Sequence, residues 1–227
     1  MELKHIAHIY TEFNEKFGIP RQSGLAPDLT GIVVFEPEYR DPDMLRGLEE
    51  FSHIWLIWEF SENRGMQWRS LVRPPRLGGN RHVGVFATRS PFRPNPLGLS
   101  CVRLEKVLFH HQDGPVLIVK GADLMNGTPI YDIKPYIVYA DSRTDAVCGY
   151  VDKVEDRHLD VLIPDEVREE IGLLPMFGPL LQCLSLDPRP SYHDDSHRVY
   201  GISFAGYNVR FRVEGSVLHI MDVAPLQ

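Results

Sequence analysis

The sequence predicts a mainly β fold: a small antiparallel β-barrel, or strongly curled sheet, followed by a small α+β C-terminal domain. Three observations carry this. Short β-branched and aromatic runs, broken by Gly, Pro and Asn, recur through the first 140 residues. Few stretches between them show helical periodicity. No strand leads into a Gly-x-Gly-x-x-Gly turn opening a helix, which argues against a dinucleotide-binding α/β fold.

The elements follow in order. Residues 5–10 alternate in polarity like an edge strand, and residues 31–35 form a β-branched run closed by Pro37. Asp41-Pro42 reads as a helix cap with proline at the first helical position, and Met44, Leu45 and Leu48 give that short helix an apolar face. Strands are then expected over 51–60, 83–88, 98–109, 115–120 and 129–139. Residues 141–153 are polar and read as a linker between a barrel over 1–140 and an α+β domain over 154–227. In that second part, 164–173 and a stretch from Phe177 to Leu186 are helical, and 199–204, 207–213 and 216–223 are strands. Glu214-Gly215 turns the last two into a hairpin.

Composition narrows the class. With 227 residues, 43% hydrophobic and 24% charged, the chain is an ordinary globular protein able to bury a sizeable core. Cys101, Cys148 and Cys183 are widely spaced, with no Cys-x-x-Cys pair, so they read as reduced thiols in or near the core and no metal is expected. Residues 1–6 hold no signal-peptide stretch, and the apolar run 54–58 is too short to span a membrane. A soluble cytoplasmic protein without a membrane partner is the reading.

The net charge of −7 argues against a general nucleic-acid binder, but its distribution matters more. Between Asn63 and Leu104 there is no Asp, Glu or Lys, while Arg64, Arg69, Arg73, Arg76, Arg81, Arg89, Arg93 and Arg103 all fall there. Arginine alone suits bidentate recognition of phosphate or carboxylate. A solvated face is the plainer alternative.

Three segments carry chemistry. In 81–100 an apolar strand runs into a loop stiffened by Pro91, Pro94 and Pro96, which hold Ser90, Arg93 and Asn95 extended. Such a loop presents Arg89, Ser90, Arg93 and Asn95 at little ordering cost. In 122–136 the Asn126-Gly127 turn sits beside Asp123, Asp132 and Lys134, polar groups in otherwise apolar strands. Asp132 and Lys134 share a face and fit either a surface ion pair or a site. The third segment, 18–24, is another loop with an arginine and an amide.

Together these segments resemble the TsaA-like, or TrmO, family of tRNA (adenine-N6)-methyltransferases. The matching pieces include Pro20-Arg-Gln-Ser-Gly24, Gly47-Leu-Glu-Glu-Phe-Ser-His53, Arg73-Pro-Pro-Arg-Leu-Gly-Gly79 and Gly84-Val-Phe-Ala-Thr-Arg-Ser90. Phe92-Arg-Pro-Asn-Pro-Leu-Gly98, Asp123-Leu, Gly127-Thr-Pro129 and Asp132-Ile-Lys-Pro-Tyr136 continue the match, as do Asp187-Pro-Arg-Pro190 and Asn208-Val-Arg-Phe211 in the tail. The resemblance implies a small β-barrel binding S-adenosylmethionine at its loops, often at a homodimer interface. It implies methylation of N6 of threonylcarbamoyladenosine next to the tRNA anticodon. By position it assigns cofactor contacts to Pro20, Arg21, Gln22, Ser61, Glu62, Arg89, Leu99, Asp123, Leu124, Met125 and Asn126. Asn126 stands where an aspartate is common in the family.

Methyl transfer from a sulfonium requires an in-line nucleophile and a desolvated site more than a strong base. Asn95 or Asp123 is the candidate catalytic residue that accepts a hydrogen bond from N6; a turn cap is the plainer reading of Asn95. Arg69, Arg73, Arg76 and Arg93 are the candidates for tRNA phosphates and for the threonyl carboxylate. Trp58, Trp68 and Phe92 can stack on a base, although Trp58 also fits core packing, and His53 reads as structural. Two other classes stay open: a non-catalytic module sensing S-adenosylmethionine or an anionic metabolite, and a barrel scaffold whose arginines form a dimer interface.

Overall fold

The computed structural model describes residues 2–77, 81–153, 158–190 and 195–226; the Arg76 side chain, Gly78, Gly79 and His193 lie outside what is described. Strand β1 (Ala7–Tyr10) alternates inward Ala7 and Ile9 with outward His8 and Tyr10, so period two sets its buried face. The next strands are β2 (Thr30–Phe35) and β3 (His53–Glu59). After a two-stranded ribbon, β4 (Leu71–Val72) with β5 (Val83–Gly84), come β6 (Leu97–Leu108), β7 (Val116–Lys120) and β8 (Thr128–Pro135). Six of these close an antiparallel barrel in the order β1-β2-β7-β6-β3-β8, with β8 returning to β1. Closure leaves the barrel sheet without an edge. Inside it pack Ile9, Val33, Ile54, Leu56, Val102, Val119 and Ile130, all buried.

Three local expectations differ from what forms. The helix expected after Asp41 is a pair of 3-10 turns, Pro42–Leu45 and Leu48–Glu50. Asp41 does cap the first, accepting from Asp43 N at 3.0 Å, but Gly47 at φ 86° ends the run before an α-helix can propagate. The strand expected over 83–88 stops at Gly84 and becomes a 3-10 turn, Val85–Ala87; among the described residues its ladder partner is the two-residue Leu71–Val72. The strand expected to reach Tyr139 stops at Pro135, and a single helical turn α1 (Val138–Asp141) follows, with Asp141 accepting from Ile137 N at 2.8 Å.

The C-terminal part is α+β. Strand β9 (Asp160–Leu162) precedes helices α2 (Asp165–Ile171) and α3 (Phe177–Ser185), then β10 (Tyr200–Phe204), β11 (Tyr207–Glu214) and β12 (Val217–Pro225). The sheet order is β10-β11-β12-β9, with Glu214 opposite Val217 across the expected hairpin. β9 pairs parallel to β12 and was not anticipated; three residues are too few to show a period. Helices α2 and α3 cover the sheet through Ile171, Leu180 and Leu184. The same core takes in Phe13, Ala26 and Leu29 from the loop between β1 and β2, with Phe13 edge-on to Phe204 at 5.1 Å between ring centroids.

The three thiols are free. Burial pushes Cys183 up to about 12, which keeps it a neutral core thiol. Cys101 is half-buried, whereas Cys148 is exposed on the polar stretch after α1, away from either core. Among the described residues no helix is long and apolar enough to cross a membrane.

Candidate active site

Where β3 ends and β6 begins, the barrel opens into a cavity of about 610 Å³. Its wall comes from the loop between β1 and β2, the turn after β3, the proline-rich loop before β6 and the segment before β8. Pro20, Arg21, Gln22, Ser61, Glu62, Arg89, Leu99, Asp123, Leu124 and Met125 all line it. Residues distant in sequence are thus brought to one place. Asn126 is not among the lining residues. Its Oδ1 accepts from Thr11 N at 3.2 Å, its Nδ2 donates to Asn14 Oδ1 at 3.1 Å, and its own N–H bonds Phe13 O at 2.7 Å. It therefore fastens the β1–β2 loop to the turn before β8.

Asp123 sits at the end of a hydrogen-bonded line. Trp58 Nε1 donates to Ser100 Oγ at 3.0 Å, and Ser100 Oγ donates to Asp123 Oδ1 at 2.6 Å. Burial raises the Asp123 carboxyl above the ordinary carboxylate range, against the Ser100 hydrogen bond and nearby Arg89, which both favour the anion. The indole is 8% exposed and packs edge-on against Phe60 at 4.3 Å, so Trp58 is a core residue and a cavity wall at once. Gly98 makes this possible: a Cβ there would overlap the Trp58 ring.

A second buried group was missed from sequence. Glu59, 7% exposed, lines the cavity and accepts from Arg64 Nε at 2.9 Å, from Arg64 Nη2 at 2.5 Å and from Tyr131 Oη at 2.7 Å. The Arg64 bonds hold its carboxyl below the usual value in spite of burial. The available signal was a charge closing an apolar strand, a place where a solvent-facing end is the simpler reading.

The proline-stiffened loop is held from within. Arg93 Nη1 donates to Thr88 O at 2.6 Å and Val85 O at 3.3 Å, and its guanidinium lies over the Phe86 ring at 5.7 Å. Thr88 Oγ1 donates to Val85 O at 2.8 Å and accepts from Ser90 N at 3.2 Å. Arg93 also lines the cavity. Arg89 donates to Gln22 Oε1, tying this loop to the one carrying Pro20. Asn95 is exposed, does not line the cavity, and offers its backbone carbonyl to Leu97 N at 2.8 Å.

The remaining arginines lie outward. Arg69 is exposed and its guanidinium stacks over Phe92 at 4.6 Å. Arg73 is exposed, donates to His82 Nε2 at 2.9 Å and lines a second cleft of about 770 Å³ with Lys16, Arg21 and Arg189. This cleft follows the seam between barrel and C-terminal part, where Arg21 Nη2 reaches Asp187 O at 3.4 Å. Lys16, Ile19, Pro20 and Arg21 border both cleft and cavity. Arg76 belongs to the turn Pro75–Leu77, but its side chain lies outside what is described. Asp132 and Lys134 form an exposed ion pair at 2.8 Å, and His53 Nδ1 bonds Ser52 Oγ at 2.9 Å.

Comparison with known proteins decides the family. Residues 8–142 match the tRNA-methyltransferase O N-terminal domain, and residues 157–226 match the TrmO C-terminal domain. The chain belongs to the tRNA-methyltransferase O family. It is 38% identical to the tRNA (adenine(37)-N6)-methyltransferase of Escherichia coli (strain K12), over 99% of this chain and 98% of the relative. It is also 38% identical to the putative S-adenosylmethionine-dependent methyltransferase RcsF of Pseudomonas aeruginosa PAO1, over 96% of each. The crystal structure of TrmO from Pseudomonas aeruginosa superposes with a TM-score of 0.77 at 33% identity, covering 99% of this chain and 98% of that one. A TrmO family member thus explains the closed barrel, the α+β appendage and the loops that meet at the barrel mouth.

Proposed function

We propose that this TrmO family member transfers a methyl group from S-adenosylmethionine to N6 of adenine 37 in tRNA, on a threonylcarbamoyl-modified base. The observation that carries the reading is the cavity holding Asp123 beside Pro20, Gln22, Arg89 and Met125, in a chain whose relatives include a tRNA (adenine(37)-N6)-methyltransferase.

The donor set fits the cofactor. A pocket of this size and mixed lining suits a nucleoside-sized ligand. Trp58, Phe60 and Leu99 offer apolar walls for an adenine ring, Arg21 and Arg89 offer cations for a carboxylate, and Glu62 offers an anion for positive groups. S-adenosylmethionine, when bound, supplies an electrophilic methyl carbon on a sulfonium.

This chain's residues do the rest. N6 of the threonylcarbamoyl-modified base is a weak nucleophile because its lone pair is shared with the ring and with the carbamoyl carbonyl. The Asp123 carboxylate, held in direction by Ser100, accepts a hydrogen bond from N6–H and takes its proton as the N–C bond forms and the S–C bond breaks. Burial that raises the Asp123 carboxyl also makes it a better proton acceptor once ionised. The cavity walls exclude water from the reacting atoms.

Arg69 and Arg73, exposed, take tRNA phosphates, and Arg93, which lines the cavity, takes the threonyl carboxylate. The seam cleft with Lys16, Arg21 and Arg73 extends a basic track beyond the cavity, while Arg189 there is paired with Asp187. Exposed Met66, Trp68, Leu71, Phe86 and Leu99 fall in sequence from the end of β3 into the start of β6, an apolar surface suited to a homodimer of a cytoplasmic enzyme.

Mass spectrometry of tRNA nucleosides after incubation with purified protein and S-adenosylmethionine tests the activity; a new methyl on threonylcarbamoyladenosine is expected. Cofactor binding without methyl transfer to any tRNA would make the chain a sensing module instead. Light scattering tests the homodimer, which Phe86→Glu should dissociate.

A further inference from the structure

Outside the cavity, one cluster of metal-ligating side chains stands among the described residues: His5, His8 and Glu36. We propose that these three form a divalent-cation site of the zinc class on the barrel wall formed by the β1–β2 pair, clipping the segment before β1 to the end of β2.

The backbone builds the site before any ion arrives. β1 and β2 pair antiparallel, with Ala7 opposite Phe35 and His8 opposite Val34. Glu36 N donates to Ile6 O at 2.9 Å, and Ile6 N donates to Ile130 O at 2.7 Å, so the chain on both sides of the cluster is bonded into the barrel. His8 is thereby fixed across from the residues leading to Glu36, and His5 lies one short segment away.

The side chains converge. His8 Nδ1 lies 2.7 Å and His5 Nε2 lies 3.8 Å from the same Glu36 Oε1. The two imidazoles meet edge to face at 5.0 Å between centroids, and all three ligand atoms lie within 4.8 Å of one another. Bonds of about 2.0–2.2 Å to a tetrahedral ion place ligand atoms roughly 3.4 Å apart. The half-exposed His5 ring supplies that adjustment by side-chain rotation alone.

The chemistry selects the ion. Two imidazoles and one carboxylate form a borderline set that favours Zn²⁺, with Co²⁺ and Ni²⁺ as substitutes, over Mg²⁺ or Ca²⁺. Exposure on the His5 side leaves a fourth position for water. A plain His8–Glu36 ion pair would account for two of the residues and would not involve His5 in any affinity.

The test is a titration of metal-stripped full-length protein with Co²⁺, followed by its visible ligand-field absorption, and with Zn²⁺ by calorimetry. A Cys148→Ser background removes the exposed thiol as a competing ligand. One equivalent should bind, with affinity at least about tenfold weaker in His5→Ala, His8→Ala and Glu36→Gln, by analogy with the loss seen for supporting groups of metal sites. Zn²⁺ at about 100 times its Kd should raise the thermal midpoint by roughly 5–10 °C, and this rise should vanish in His5→Ala. Circular dichroism of His5→Ala without metal serves as the fold control. Equal affinity and stoichiometry in the parent and His5→Ala, or no saturable binding in the parent, would overturn the proposal.

Discussion

Ser100 and Asp123 lie 2.6 Å apart, hydroxyl to carboxylate, and the same hydroxyl receives the Trp58 indole N–H at 3.0 Å. A core aromatic, a strand serine and a half-buried acid therefore form one hydrogen-bonded line from the barrel interior to the cavity. Its direction is fixed, because the indole has only a donor to give. Ser100 must accept from Trp58 and so spends its own proton on Asp123.

Asp123→Asn keeps the shape of the side chain but cannot take a proton. Methyl transfer should fall by about 10²–10⁴-fold, with cofactor affinity in calorimetry far less changed. In the parent, activity should rise with pH through an acid limb above the ordinary carboxylate value, since burial raises this carboxyl. Stability runs the opposite way. The folded state holds the Asp123 proton more tightly than the unfolded chain, so the contribution is full below the unfolded value and is lost as pH rises through the folded one. Asp123→Asn should remove that slope from urea titrations across the same pH range.

Ser100→Ala takes a donor from Asp123 and an acceptor from Trp58. The acid limb of the pH–rate profile should move upward, because the bond that favoured the anion is gone. The orphaned indole N–H should cost about 1–3 kcal/mol in equilibrium unfolding. A profile that does not move would separate Ser100 from the chemistry.

Glu59→Gln tests the buried carboxylate beneath the cavity. Losing charge-assisted bonds to Arg64 and Tyr131 should lower stability by about 1.5–3 kcal/mol at neutral pH. With its carboxyl held low by Arg64, Glu59 stabilises the fold above its unfolded value, and this is lost as pH falls through the folded value. The parent and Glu59→Gln should therefore converge in denaturant midpoint in acid.

Gly98→Ala should fail for steric reasons. The added methyl overlaps the Trp58 ring, and moving the indole breaks its bond to Ser100. Overpacking of this kind costs about 1–3 kcal/mol, and methyl transfer should drop along with the thermal midpoint.

Arg69→Ala and Arg73→Ala should weaken tRNA binding across sequences. Each should lower the slope of log affinity against log salt by about 1 and leave cofactor affinity unchanged in calorimetry. Arg93→Ala should behave differently, because Arg93 also holds the loop by way of Thr88 and Val85, and should reduce cofactor affinity as well.

The barrel was legible because its strands, such as 31–35 and 115–120, carry β-branched runs that local pattern reading detects. Strand β9 was not, since Asp160–Leu162 owes its conformation to β12, far along the chain. Asp123 could be named because a carboxylate beside an Asn-Gly turn in apolar sequence is conspicuous. Ser100 and Glu59 could not, because a serine in a strand and an acid at a strand end are ordinary until packing buries them. Asn95 shows the limit of local stiffness: its flanking prolines fix the backbone, yet which side of the loop meets the cavity depends on Arg93 and the ribbon behind it. Asn126 likewise stands next to residues that line the cavity while its amide goes to Thr11 and Asn14.

The loop between β1 and β2 starts and ends in the barrel, yet Phe13, Ala26 and Leu29 sink into the other core. Pro20, Arg21 and Gln22 ride on that loop, so one wall of the cavity is anchored to foreign ground. Loosening α3, or severing the chain after α1, would let that wall drift without touching a single barrel strand. The appendage thereby acts as a brace on the mouth of the cavity, whatever else it touches.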